Sequence, residues 1–511
     1  GYREVPEADR SVDERSFEQI YKGIWPSYQE RITREGYWDD QDLARDVLQN
    51  GTLNPIHPVI FCDEVQDFTQ LELNIIFCLS PWGKYKLDWA VERLPYAFAG
   101  DPLQTINPTG FRWAALKKYL YEHIRAYLLP THPFRIEDPQ ELKNNYRSNP
   151  QITRFSNVVN LWRRVLSGNR EIYPQQPWRS QEQGIPVQQF VLDGQEKNLI
   201  ESELRNMLSD LTGTVCVLPC STGDELNYVR RDPELQKVYA EELEQNLKPP
   251  LLQTVTAVKG MEFKKVILYK FGDYYRQKFD QNLKHYIRRG RGELGLQYFL
   301  NQLYVGITRP TQALAIVDTS AGWREFWNPS LELNFWLDHP SLEEDWSKWN
   351  TDPPLLGCPV KAMNIQYWTN TSLKDLLESA LELLGRGVEE GNLSLLEDVQ
   401  TLVQKADNPQ LEQECRAWIF KLRKEYLSAG QQFLSLEKSA LPNQDLIREA
   451  WECFWKAKAW PELQQHRSTF ARYPHIPKYD PLVDLMVVTQ KTSAKPVERF
   501  RQLVRVRDWL S

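Results

Sequence analysis

At 511 residues the chain is too long for a single hydrophobic core and calls for about three domains. Hydrophobic content of 41% beside 26% charged residues is ordinary for globular protein, and a net charge of −7 excludes an overall basic field while leaving local nucleic-acid grooves open. Cysteines at 62, 78, 216, 220, 358, 415 and 453 form no CxxC pair and no Cys/His cluster, which argues against structural zinc and for a reducing, cytoplasmic setting. No apolar run approaches a membrane span, no signal-peptide pattern opens the chain, and no membrane partner is expected.

Residues 1–57 are polar and aromatic, with helical spacing in Phe17, Ile20 and Ile24 and again in Leu43, Val47 and Leu48, before a helix stop at Asn50-Gly51. Val59–Cys62 is too short an apolar run for a helix and reads as a buried parallel strand bounded by Pro58. Ligands of open α/β sheets gather at the carboxyl ends of strands, where Asp63 and Glu64 emerge. One such carboxylate can hold Mg²⁺ and the next can orient a water; read alone, the pair is equally a capped turn after a core strand. A helix with Leu71, Leu73, Ile75, Ile76 and Leu79 is expected next, and then a strand, Tyr96–Ala99, ending in Gly100-Asp101-Pro102-Leu103-Gln104. Further short apolar runs at 215–218, 266–269 and 314–317, separated by helical segments, argue for parallel α/β layers joined near 137–150. Beyond about residue 320 come five tryptophans (323, 327, 336, 346 and 349). Amphipathic helices follow at 373–384, 393–405, 410–428 and 444–458. The expected organisation is therefore 1–136, 137–320 and 321–511, the last a Trp-rich linker with an α-helical, repeat-like tail.

Three further constellations carry chemistry. Asn145-Tyr146-Arg147-Ser148 sets an aromatic face beside a guanidinium, Lys259-Gly260-Met261-Glu262-Phe263 places a cation and a carboxylate before a strand, and Tyr304–Arg309 ends in a second arginine. Singly, each arginine reads as a surface salt bridge and Tyr146 as a half-buried core aromatic.

In succession, Asp63-Glu64-x-Gln66-Asp67, Gly100-Asp101-x-x-Gln104, Asn145–Ser148, Thr254-x-x-x-x-Lys259-Gly260-x-Glu262-Phe263 and Leu303-Tyr304-Val305-x-x-Thr308-Arg309 resemble motifs II to VI of the UvrD/Rep-like superfamily 1 helicases. Tyr37–Leu43 is similar to the aromatic-acidic helix that precedes motif II in that family, so the resemblance covers about 37–320. It implies an α/β fold of two RecA-like, P-loop NTPase-type parallel-sheet domains, the first incomplete, with ATP between them. It further implies Mg²⁺ on Asp63, held through water, and Glu64 as the activator of the hydrolytic water. Gln104 would sense the γ-phosphate, Tyr146 would stack on adenine and Glu262 would meet the ribose. Arg147 and Arg309 would be arginine fingers. The implied partner is single-stranded or partly duplex DNA, stacked on Phe111 and Trp113 and contacted near Thr256, which stands where the family commonly has His. The run Arg276, Lys278, Lys284, Arg288, Arg289 and Arg291 reads as a solvated loop before it reads as a phosphate track.

Two departures qualify the resemblance. The phosphate cradle G-x-x-x-x-G-K-[ST] is absent, because Gly83-Lys84 is followed by Tyr85 and lacks the earlier glycine. The expectation is that the first part of the first domain lies outside these residues and that this chain alone binds and hydrolyses ATP poorly. The stretch between Arg147 and Lys259 is long enough to finish one sheet and leaves no room for the family's large insertion. A DNA helicase or translocase is the leading expectation. The alternatives are a non-catalytic or split helicase-like scaffold, with a protein partner at its helical tail, and a superfamily 1 RNA helicase.

Overall fold

The computed structural model describes residues 14–50, 53–81, 96–106, 116–121, 140–167, 172–178, 184–193, 214–249, 251–279, 283–288, 294–352, 354–357, 360–362, 368, 373–438, 443–473, 475–476, 480–490 and 501–506. The fold is mixed α/β. Strand β1 (Ile60–Cys62) pairs in parallel with β2 (Tyr96–Phe98), Ile60 opposite Tyr96 and Cys62 opposite Phe98. The helix Gln70–Cys78 covers one face of this pair. Its first turn is closed by a capping box in which Thr69 N donates to Glu72 Oε2 at 2.6 Å while Glu72 N donates back to Thr69 Oγ1 at 3.4 Å. Val65, Leu73, Phe77, Leu116 and Leu120 form the core beneath it. The strand was expected to be buried throughout, but burial is one-sided. Cys62 faces that core, whereas Phe61 points the other way and is 81% exposed, because successive side chains alternate faces.

Two-residue strands β3 (Asn144–Asn145) and β4 (Gln176–Pro177) also pair in parallel. The main sheet is built from β5 (Gln188–Val191), β6 (Thr214–Leu218), β7 (Leu252–Thr254), β8 (Phe263–Tyr269), β9 (Pro310–Asp318) and β10 (Lys361–Ala362), in the order β10-β5-β9-β8-β6-β7. The β10–β5, β5–β9 and β8–β9 pairs are parallel, and β6, β8 and β9 are buried along nearly their whole length, as continuous apolar runs between helices should be. The runs at 215–218, 266–269 and 314–317 are therefore parallel-sheet strands.

The helix Pro150–Ser167 packs beside this sheet, and its Trp162 and Phe155 receive two of the tryptophans beyond 320. Trp162 meets Phe326 at 6.0 Å and Trp336 at 6.2 Å between ring centroids, and Phe155 meets Trp327 at 6.4 Å. Trp323, Trp327, Trp336 and Trp349 are buried. A stretch read as a linker is thus part of the core, since large aromatic rings at this density stay out of water.

The chain divides into two compact units, one from 1–201, 216–225 and 253–363 and the other from 202–215, 226–252 and 364–511. The second unit is dominated by the helices Leu373–Glu389, Leu393–Lys405, Pro409–Leu422, Tyr426–Ser435, Gln444–Lys456, Trp460–Gln465 and Asp480–Gln490. Asn392, Asn408 and Asn443 cap three of them. The helical spacing at 410–428 is broken at Lys424, whose φ of 63° ends one helix and lets the next fold back. Phe433, Ile447, Ala450, Trp451, Phe454 and Trp460 lie in its core.

Candidate functional site

The carboxyl end of β1 turns sharply. Glu64 takes the left-handed conformation at φ 51°, and Asp63 Oδ1 accepts its N–H at 2.8 Å. Val65 N then donates to Ala99 O at 3.0 Å, so the Asp63-Glu64 turn is stitched to the end of β2. The buried Gln66 amide joins the two loops: its nitrogen donates to the Glu64 carboxylate and its oxygen accepts from Asp101 N at 2.9 Å. A glycine is required at 100, because a Cβ there would fall on the Gln66 side-chain oxygen and on Val65. Asp101 in turn shapes the loop that follows, accepting from Leu103 N at 2.8 Å and from Gln104 Nε2 at 3.1 Å.

Arg309, at the start of β9, reaches this loop. It is 1% exposed and donates from Nε to Val305 O at 3.0 Å, from Nη1 to Met261 O at 3.3 Å and from Nη2 to Thr308 Oγ1 and Gln104 Oε1, both at 3.1 Å. Burial pulls its pKa down to about 10, with the positive charge of Arg147 adding to the effect and Tyr304, Glu64 and Glu262 opposing it, so the guanidinium remains a cation at neutral pH. Arg147 is ion-paired with Glu262, Nε to Oε1 at 2.5 Å, and its backbone is held by Asn145 Oδ1 at 3.1 Å. Lys259 Nζ lies 2.5 Å from both oxygens of Asp67.

Six expected residues, Asp63, Glu64, Gln104, Arg147, Glu262 and Arg309, are therefore organised around the ends of β1 and β2 and the turns flanking β8 and β9. Tyr146 is 56% exposed, with its ring 4.7 Å from that of Trp178 and tilted by 42°, so it is an exposed aromatic and not the half-buried core ring it could have been. Thr256 is exposed on the short helix Val255–Val258, which Thr254 caps. Phe111 and Trp113 lie outside the described residues. The basic run is not the loop it was expected to be: Arg276 and Lys278 lie on the helix Phe271–Lys278 and Lys284 and Arg288 on the helix Leu283–Arg288, with Arg276 paired to Asp273 at 2.9 Å and Lys284 to Glu332 at 2.5 Å.

In sequence, Gln66 and Asp67 stand within the Asp63-Glu64-x-Gln66-Asp67 motif without an assigned role, and Arg163 is not named. Gln66 is the amide tying the two loops, Asp67 is the counter-ion of Lys259, and Arg163 on the Pro150–Ser167 helix holds the Gln104 loop from behind. The sequence offers one trace of Arg163, the adjacent cations Arg163-Arg164 inside the run 158–166.

Chemically, the Gln104 amide is shared between the Arg309 guanidinium and the Asp101 carboxylate, while the Glu64 carboxylate is tied through Gln66 to the same loop. The Asp63 carboxylate offers hard oxygens of the kind Mg²⁺ takes, and among the described residues no group of three or more His, Cys, Asp or Glu is placed to hold a metal ion. Among the described residues no helix is long and apolar enough to cross a membrane. Compared with protein-family models and with curated proteins, the chain gives no match.

Proposed function

We propose that the chain carries the hydrolysis and sensing half of an ATP-driven DNA translocase or helicase of the UvrD-like superfamily 1 kind, on RecA-like layers. The observation that carries this reading is the hydrogen bond from Arg309 to Gln104, with the Glu64 carboxylate acting on the same guanidinium. A buried arginine whose outer nitrogen ends on an amide side chain in a strand-end loop suits an anion with several oxygens. In this reading Asp63 holds Mg²⁺, which supplies charge neutralisation at the phosphates. Glu64 aligns and deprotonates the attacking water, Gln104 senses the terminal phosphate, and Arg147 and Arg309 stabilise the charge that develops on it. Glu262 and Tyr146 receive the ribose and the base. The reading needs a phosphate loop of the G-x-x-x-x-G-K-[ST] kind, which these 511 residues do not contain.

The decisive measurement is fluorescence anisotropy of labelled oligo(dT) and oligo(U) against salt, together with ATP turnover. We expect oligo(dT) to bind without sequence preference, with affinity falling steadily as salt rises, and ATP turnover by the 511-residue chain to stay at background. No oligonucleotide binding at low salt would overturn the translocase reading in favour of a scaffold using its helical unit. Equal or tighter binding of oligo(U) would favour the RNA-directed relative. Robust DNA-stimulated turnover by the purified chain would refute the need for the absent loop.

A further inference from the structure

We propose that Arg163 and Asn301 are positioning residues that lock the backbone on both sides of Gln104 to the helices that neighbour Arg147 and Arg309. Arg163 Nη2 donates to Leu103 O at 2.6 Å and to Asn301 Oδ1 at 2.7 Å, and Asn301 Nδ2 donates to Thr105 O at 2.7 Å. The carbonyls before and after Gln104 are thus both gripped. Arg163 Nη1 also donates to Asn160 Oδ1 at 3.2 Å, and its guanidinium lies 4.9 Å from the centroid of the Tyr304 ring.

The placement of the two grips matters. Asn301 and Tyr304 belong to the helix Leu294–Ile307, which runs into Arg309, while Arg163 belongs to the helix Pro150–Ser167, which begins just after Arg147. A displacement of either arginine-bearing helix is therefore passed to the main chain of Gln104 through charge-assisted and amide hydrogen bonds. A core-filling role would be met by a Met or Leu of similar volume without the cost of burying a cation. A planar fork is needed only where two acceptors must be held at a fixed spacing. The neighbouring Arg164 is equally buried but pairs with Asp345 instead, which makes it an internal control.

The inference rests on the nucleotide reading for why Gln104 matters, and on geometry alone for the lock. The test is native-state hydrogen exchange of the full chain without nucleotide, read at the amides of Asp101, Leu103 and Gln104, whose hydrogen bonds report the loop. Arg163→Met and Gln104→Ala should each speed exchange there by about tenfold, and the double variant should match the faster single variant instead of showing the roughly hundredfold product. Arg163→Lys, which keeps the charge and one donor direction, should recover part of the protection. Arg164→Met combined with Gln104→Ala should multiply. If Arg163→Met fails to fold, Asn301→Ala takes its place in the cycle. A multiplicative result for Arg163 or its substitute, or the same non-additivity for Arg164, overturns the lock. That outcome leaves oligonucleotide binding untouched, and loss of oligonucleotide binding leaves the exchange cycle standing.

Discussion

The Lys259–Asp67 ion pair is asymmetric in burial, and the asymmetry determines which partner is harder to lose. The Lys259 side chain is 10% exposed, whereas that of Asp67 is 33% exposed. Removing the cation leaves a carboxylate that water can reach, so Lys259→Met should cost about 1 kcal/mol; removing the anion strands a buried ammonium, so Asp67→Ala should cost about 3 kcal/mol. Denaturant unfolding of the two variants checks the order, and equal losses would show that water reaches Lys259 as easily. Arg309 poses the same question without a carboxylate partner in direct contact: its four hydrogen bonds end on two carbonyls, a hydroxyl and an amide. Arg309→Lys keeps the charge but cannot serve acceptors spread around a guanidinium plane. It should therefore destabilise by about 2–4 kcal/mol and rescue no better than Arg309→Met.

At the scale of elements, two close approaches decide local stability against ordinary propensity. Gly430 sits inside the helix Tyr426–Ser435, where alanine is normally favoured by about 1 kcal/mol. A Cβ at 430 would come within 2.8 Å of Phe454 Cδ1 and 2.9 Å of its Cε1 on the packed helix Gln444–Lys456. Both side chains belong to a filled core, and overpacking of this kind costs about 1–3 kcal/mol, so Gly430→Ala should be net destabilising by circular dichroism melting. The second case is Asp318 at the end of β9. It accepts from Gly272 N at 2.6 Å, Trp327 Nε1 at 2.9 Å, Thr319 N at 2.9 Å and Asp273 N at 3.1 Å, so each carboxylate oxygen receives two donors. Burial outweighs these donors and raises its pKa to about 6. The folded chain then binds a proton that the unfolded chain has released between roughly pH 4 and 6, so the Asp318 contribution to stability is fullest at the acid end of that window. It shrinks as pH rises through the folded value. Asp318→Asn turns an N–H₂ toward two donors and cannot titrate. The stability gap between wild type and variant should therefore be wider at pH 4.5 than at pH 7.5, by about 2 kcal/mol. An unchanged gap would mean that the carboxylate titrates at its ordinary value.

At the scale of the whole molecule, what could be read in advance follows from how local each signal is. The strands at 215–218, 266–269 and 314–317 were legible because a parallel strand buried on both faces must be a continuous apolar run, and the helix Leu393–Lys405 because its spacing and its Asn392 cap agree. The one-sided burial of β1 was not, since exposure of Phe61 depends on which face the helix Gln70–Cys78 covers. Nor was the packing of Trp327 and Trp336, which meet Phe155 and Trp162 far away in sequence and leave no periodic trace. Arg163 and Asn301 act through carbonyl and amide partners far away in sequence, so spacing alone could not name them, and Gln66 stood in a motif with nothing to show that it ties two loops. The two units each hold their own buried core, the second centred on Phe433, Ile447, Trp451 and Phe454. Unfolding should then not be a single all-or-none event. Phe454→Ala should cost about 3–5 kcal/mol, and that loss should be confined to the unit that contains it. Hydrogen exchange resolves this: amides of Tyr426–Ser435 and Gln444–Lys456 should exchange far faster in the variant, while those of β8 and β9 keep their protection. Equal acceleration in both sets would mean that the sheet and the helical unit unfold together, and that the helical core stabilises the residues around Arg309 as well as its own helices.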